Sequence, residues 1–164
     1  MRFILFTLLL IANLNVFACT VPPRTLLQSD EDLVSRSPNI ALAKAQRQGN
    51  SDNNYVKFAF NTVETIKGKV PKEFYLEGFS AKETEDSPGD FSGHKMPEFW
   101  AFSAGNSILP GDCNAYGLFE IGKTYLIFYG GPTHVRSFEQ ISSKDDVWLN
   151  VVKLLIEREE HWKN

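Results

Sequence analysis

The stretch YVKFAFNTVETIKG (55–68) constrains the fold most. Phe58 and Phe60 share one side of a period-2 alternation, as a half-buried strand requires. Val63 and Ile66 then break that register. An apolar set that changes face inside one strand predicts a bulge or strong coil, the device by which a strand bends round a small barrel. Gly68 turns the chain, and PKEFYLEGF (71–79) supplies the return strand.

The rest of the chain reads around that hairpin. RTLLQSDEDLVSRS (24–37) places Leu26, Leu27, Leu33 and Val34 at helical spacing with acidic residues opposite, and Pro38 ends this short helix. NIALAKAQ (39–46) is a strand of small and β-branched residues, and QGNSDNN (48–54) a polar turn. KTYLIFYGG (123–131) and HVRSFEQI (134–141) are two further strands. A terminal helix starts at Ser143 with Asp145 and Asp146 in its first turn, and Trp148, Val151, Val152 and Leu155 form its apolar stripe. Five strands between two helices predict a mostly β domain, a small antiparallel barrel or sandwich with flanking helices. Between residues 80 and 112 periodicity is lost, and an irregular stretch of that length is functional or disordered. Phe99, Trp100 and Phe102 argue that its second half is packed.

The N-terminus bears on compartment. Arg2, an apolar run and Val16-x-Ala18 fit a secretory signal peptide over residues 1–18, which predicts export. The run is too short and too interrupted by Asn13 and Asn15 for a membrane span. Val16-Phe17-Ala18-Cys19 also resembles a bacterial lipobox, although Phe17 is bulky for its position. Lipidation of Cys19 would anchor the chain in the envelope and block its amine. Only Cys19 and Cys113 occur, and in an oxidising compartment two cysteines are expected to pair. Closing that loop would contribute about 4–5 kcal/mol on an entropic account. Without residues 1–18 the chain carries one basic residue fewer than its 17, against 20 acidic ones. It has no basic stripe, so nucleic acid is not an expected partner.

Three segments in order carry a resemblance. CTVPPRTLLQS…SPNIALAKA, YVKFAFNTVETIKGKVPKEFYLEG and DCNAYGLFEIGKTYLIF resemble the tissue inhibitors of metalloproteinases and the related netrin-type modules. In that family a mature N-terminal cysteine precedes a Pro-Pro segment, a short helix and a strand entered through Ser-Asp. Ser37-Pro38 stands at that last place here. Cys113, Phe119, Gly122, Tyr125 and Leu126 match the family's later cysteine and its Phe-x-x-Gly-x-x-Tyr-Leu pattern. The resemblance covers roughly residues 19–141, with gaps. It implies a five-stranded OB-like barrel over residues 19–141, with the helix of 142–164 packed on it, and a Cys19–Cys113 bridge. The animal inhibitors begin Cys-x-Cys and carry many disulfides, whereas this chain has Cys19-Thr20-Val21 and is closer to cysteine-poor bacterial envelope proteins.

Candidate chemistry follows from these readings. In the metalloproteinase inhibitors the amine and carbonyl of the first cysteine chelate the target's zinc. Cys19, Thr20, Val21 and Pro22 match that inhibitory N-terminus, and a zinc metalloproteinase would then be the partner. Alternatively the terminus is simply pinned by its bridge. His94, Phe99, Trp100 and Phe102 form a candidate interaction loop, since aromatics anchor interfaces. The alternative there is a loop folded back to cap the barrel. A third reading brings His94, Cys113 and His134 together as a metal site or a Cys–His pair. No metal-ligand spacing, phosphate cradle or nucleophile elbow occurs, so no catalytic residue, metal or cofactor is assigned. The leading expectation is an exported, non-enzymatic binding protein of the envelope or extracellular space, with a protein partner.

Overall fold

Strands β1 (Asn39–Gly49), β2 (Val56–Lys67) and β3 (Glu73–Ser80) form an antiparallel meander. The computed structural model describes residues 29–49, 55–80, 92–101, 105–108, 115–131 and 134–163. Ile40 pairs with Lys67 but Ala41 with Thr65, and Leu42 with Glu64 but Ala43 with Thr62. The extra residues on β2 are therefore Ile66 and Val63, the two that break the alternation in the sequence. A third shift leaves Gln46 extra on β1. Each insertion bends its strand and increases the local twist, which curls the sheet.

After β3 a long connection carries the chain back to the far side of β1. There β6 (Thr124–Tyr129) pairs antiparallel with β1, and β7 (Phe138–Gln140) with β6. The order β6-β1-β2-β3 is that of a Greek key. On the other side β5 (Tyr116–Phe119) runs parallel to β3, and a two-residue β4 (Ser107–Ile108) lies outside it. The sheet order is β4-β5-β3-β2-β1-β6-β7. The six longer strands make a nearly closed, barrel-like sheet, one more strand than the five expected. The sequence reading missed β5 because it is four residues long and contains Gly117, which weakens a strand signal. Gly117 is opposite Gly78 on β3, and a Cβ on either would collide with the Phe119 ring lying over them.

The side chain of Asn106 spans the gap between β5 and β7. Its amide donates to the carbonyl of Leu118 on β5 (3.2 Å) and to that of Phe138 on β7 (2.9 Å). Phe119 and Phe138 meet edge to face below it, 5.6 Å between ring centres.

Two apolar clusters divide the interior. Inside the barrel are Ala43, Ala45, Phe58, Phe60, Phe74, Phe119, Tyr125 and Ile127. Small residues on β1 leave room for the rings opposite, the large-and-small complementarity that fills a small barrel. On the outer face of β1 and β6, Ile40, Leu42, Leu126 and Phe128 pack against the helices. Strand β6 is thus buried on both faces, so TYLIFY reads as one apolar run without alternation.

Three helices cover that outer face. In α1 (Asp30–Arg36), Ser29 caps the N-terminus by accepting from the backbone N–H of Asp32 (3.2 Å), and Leu33 and Val34 are buried. Helix α2 (Pro97–Ala101) buries Phe99. Helix α3 (Val147–Lys163) buries Trp148, Leu149, Val152 and Ile156. It begins later than expected and has no acidic residue in its first turn. Asp146 stands just outside, where its Oδ1 accepts from the N–H groups of Trp148 (3.0 Å) and Leu149 (3.3 Å). A carboxylate that caps two orphan donors stops the helix from extending back through it. Among the described residues no helix is long and apolar enough to cross a membrane.

Candidate interaction site at the capped end of the barrel

The segment GHKMPEFWA (93–101) is built by local rules. Gly93–Lys95 make a 3-10 turn, and Met96 leaves it with extended backbone (φ −93°, ψ 139°), as a residue before proline must. Pro97 opens α2, where its missing N–H costs nothing. The turn throws His94 and Phe99 inward and leaves Met96 exposed and Trp100 at 44 % exposure.

Trp100 is fixed on three sides. Its Nε1 donates to the carbonyl of His94 (2.7 Å), and its ring meets Phe99 and Trp148 edge to face, at 5.1 and 6.1 Å between centres. Beneath it the Arg136 guanidinium lies over the Phe99 ring (4.2 Å) and donates both to the Phe99 carbonyl and to Asp30 of α1. One buried cation thereby ties α1 to α2 next to the aromatic cluster.

Beside this cluster lies a buried ionic group. The Nδ1 of His94 is 3.2 Å from Glu139 Oε2, and its Nε2 is 2.9 Å from Asp146 Oδ2. All three residues are buried. Glu139 also accepts from the backbone N–H of His94 (3.3 Å) and, through Oε1, from that of Asn106 (2.5 Å). Burial opposes a charge on His94, but the hydrogen bonds and charges of Glu139 and Asp146 outweigh it and raise the ring above its ordinary pKa. The barrel seam, the α3 cap and the Trp100 segment therefore share one hydrogen-bonded group.

Of the candidate interaction loop, then, His94 and Phe99 face inward, Trp100 lies half in and half out, and Phe102 falls outside the described residues. Phe99 joins the helix-facing cluster on the outer face of β1 and β6, while Trp100 beside it is half exposed. Cys19, Thr20, Val21 and Pro22, expected as an inhibitory N-terminus, and Cys113, expected to bridge to Cys19, also lie outside the described residues. His134 is buried, its Nδ1 accepting from the backbone N–H of Arg136 (3.1 Å). Both ring nitrogens of His94 face carboxylates, and among the described residues no group of three or more His, Cys, Asp or Glu is arranged to hold a metal ion.

Sequence reasoning did not single out Glu139, Arg136, Asp30 or Asn106, and it placed Asp146 only in the first turn of the terminal helix. A signal existed for one of the five. Asp146 stands two residues before buried Trp148, an N-cap position. No protein-family model matches the sequence, and no curated protein matches it either.

Proposed function

We propose that this chain is an exported binding protein, built on an OB-like barrel, that engages a protein partner through the surface around Trp100. The leader sequence supports export. The Greek-key order β6-β1-β2-β3 with β7 beside β6 supports an OB-like barrel, in which β5 is an added strand at the seam.

The observation that carries the reading is the state of Trp100. An indole half exposed, hydrogen-bonded at Nε1 and braced by two rings, is positioned before any partner arrives. A side chain already held in place loses little conformational freedom on binding, and Trp is prominent among residues that anchor interfaces. Met96, exposed at the head of the same short helix, adds a flexible apolar contact.

The test is site-specific photo-crosslinking in the producing cells. A photoreactive residue at position 96 should give one discrete protein adduct that disappears when Trp100→Ala is added, with circular dichroism showing the double variant folded. The same probe at position 153, on the exposed side of α3, should give none. Equal labelling at both positions, or none at 96, removes the proposal.

A further inference from the structure

A neutral imidazole has one N–H and one lone pair, so it satisfies one carboxylate and sets its other nitrogen against the second. An imidazolium donates to both. With Nδ1 at 3.2 Å from Glu139 and Nε2 at 2.9 Å from Asp146, the geometry around His94 is that of an imidazolium. We propose that the proton on His94 is a latch: it holds segment 93–101, with the Trp100 surface, onto the barrel seam and the α3 cap, and its loss releases that segment. The functional meaning of the latch rests on the binding reading above.

The hydrogen bonds make the release selective. Asp146 caps α3 through Oδ1 and meets His94 through Oδ2, so the cap survives when the His94 contact is lost. Glu139 likewise keeps the N–H of Asn106 through Oε1 and stays tied to the seam. Trp100 is coupled to His94 directly, because its Nε1 donates to the carbonyl of His94 itself, and the Phe99 carbonyl held by Arg136 is the point about which the segment turns. Moving His94 therefore moves Trp100, while β7 and α3 stay in place.

The charges around the ring set the direction. From β7 comes Glu139 and from the α3 cap Asp146. The turn before β7 brings Arg136, which is taken up by Asp30 of α1, and His134. On the segment itself Lys95 and Glu98 are exposed, and the residue facing it from before β4 is neutral Asn106. Deprotonated, His94 would leave two buried carboxylates against an uncharged ring. The two carboxylates raise the folded value above that of a free imidazole. The latch is accordingly closed below pH of about 6.5 and opens as pH rises through the raised value.

Nitrogen-15 spectra of the histidine rings in the full exported chain test this, with His94 assigned by loss of its signals in His94→Gln. At pH 6.5, where a free imidazole is half protonated, both ring nitrogens of His94 should carry protons in more than half of the molecules. Amide exchange of residues 95–101, corrected for its intrinsic pH dependence, should be flat below pH of about 6.5, accelerate by up to about tenfold per pH unit between there and the His94 titration, and level off above it. Amides of β1 and β2 should show no such acceleration. A His94 titration at or below that of a free imidazole, or exchange at 95–101 that ignores the titration, overturns the latch. Asp146→Asn keeps the Oδ1 cap and turns Oδ2 into a donor, so His94 should titrate at lower pH and the opening should move down by the same amount. A titration that shifts without the opening also overturns it. None of these measurements involves a partner, so failure here leaves the crosslinking result standing, and the reverse holds.

Discussion

The inside of the barrel and the ionic group at its capped end are both buried, yet they are built from opposite materials. The barrel interior is aromatic: Phe60 stacks on Phe74 (5.6 Å) and meets Phe119 (4.9 Å) and Tyr125 (6.2 Å) edge to face. Its fully buried phenol is answered locally, Tyr125 accepting from the backbone N–H of Glu120 (2.8 Å). The capped end instead buries Arg136, His94, Glu139 and Asp146 beside Phe99 and Trp148. Apolar packing is non-directional and indifferent to pH. A buried ionic group demands fixed partners and responds to protons, which suits it to specifying one arrangement of loops and helices. The first region makes the domain stable, and the second sets how its ends are joined.

The sharpest way to break this contrast is to empty the barrel. Phe60→Ala should cost about 3–5 kcal/mol in urea unfolding, by the same amount across the pH range, because it removes a fully buried ring and leaves a cavity. A strongly pH-dependent loss would mean that the two regions are not separate. Glu139→Gln comes next, with an expected cost of about 2–3 kcal/mol near pH 6, since it leaves His94 without one of its two charged acceptors. The sign of its pH dependence is fixed. A group whose folded pKa is raised contributes stability fully below its unfolded value and loses it as pH rises through the folded one. The gap between Glu139→Gln and the parent chain should therefore narrow on the alkaline side, as chemical denaturation at several pH values would reveal. The smallest effect is the control. Lys153 pairs with Glu64 across the exposed side of α3 (2.9 Å), and Lys153→Ala should change stability by less than about 1 kcal/mol, less still in high salt. A larger change there would mean that exposed ion pairs contribute as much as the buried group.

How much of this was legible differs between the regions for the same reason. The barrel is written in periodicity: alternation marks Phe58 and Phe60, and the breaks at Val63 and Ile66 are the bulges themselves. The terminal helix shows its stripe, although Leu149 and Ile156 belong to it as well as the residues picked from spacing. Strand β5 escaped, being short and glycine-bearing, and with it the parallel pairing to β3. At the capped end, Glu139 and Asp146 lie 45 and 52 residues from the histidine they hold. No local pattern reports a contact over that distance.

The amino-acid order by itself determined where the chain is extended, where it bends and which faces seek burial, because each follows from side chains within a few residues of one another. Which polar groups follow those faces inward was decided only in three dimensions. A carboxylate in a strand reads as solvent-facing until a histidine, a backbone N–H and a seam between strands arrive to satisfy it, and that meeting exists only once the barrel has nearly closed.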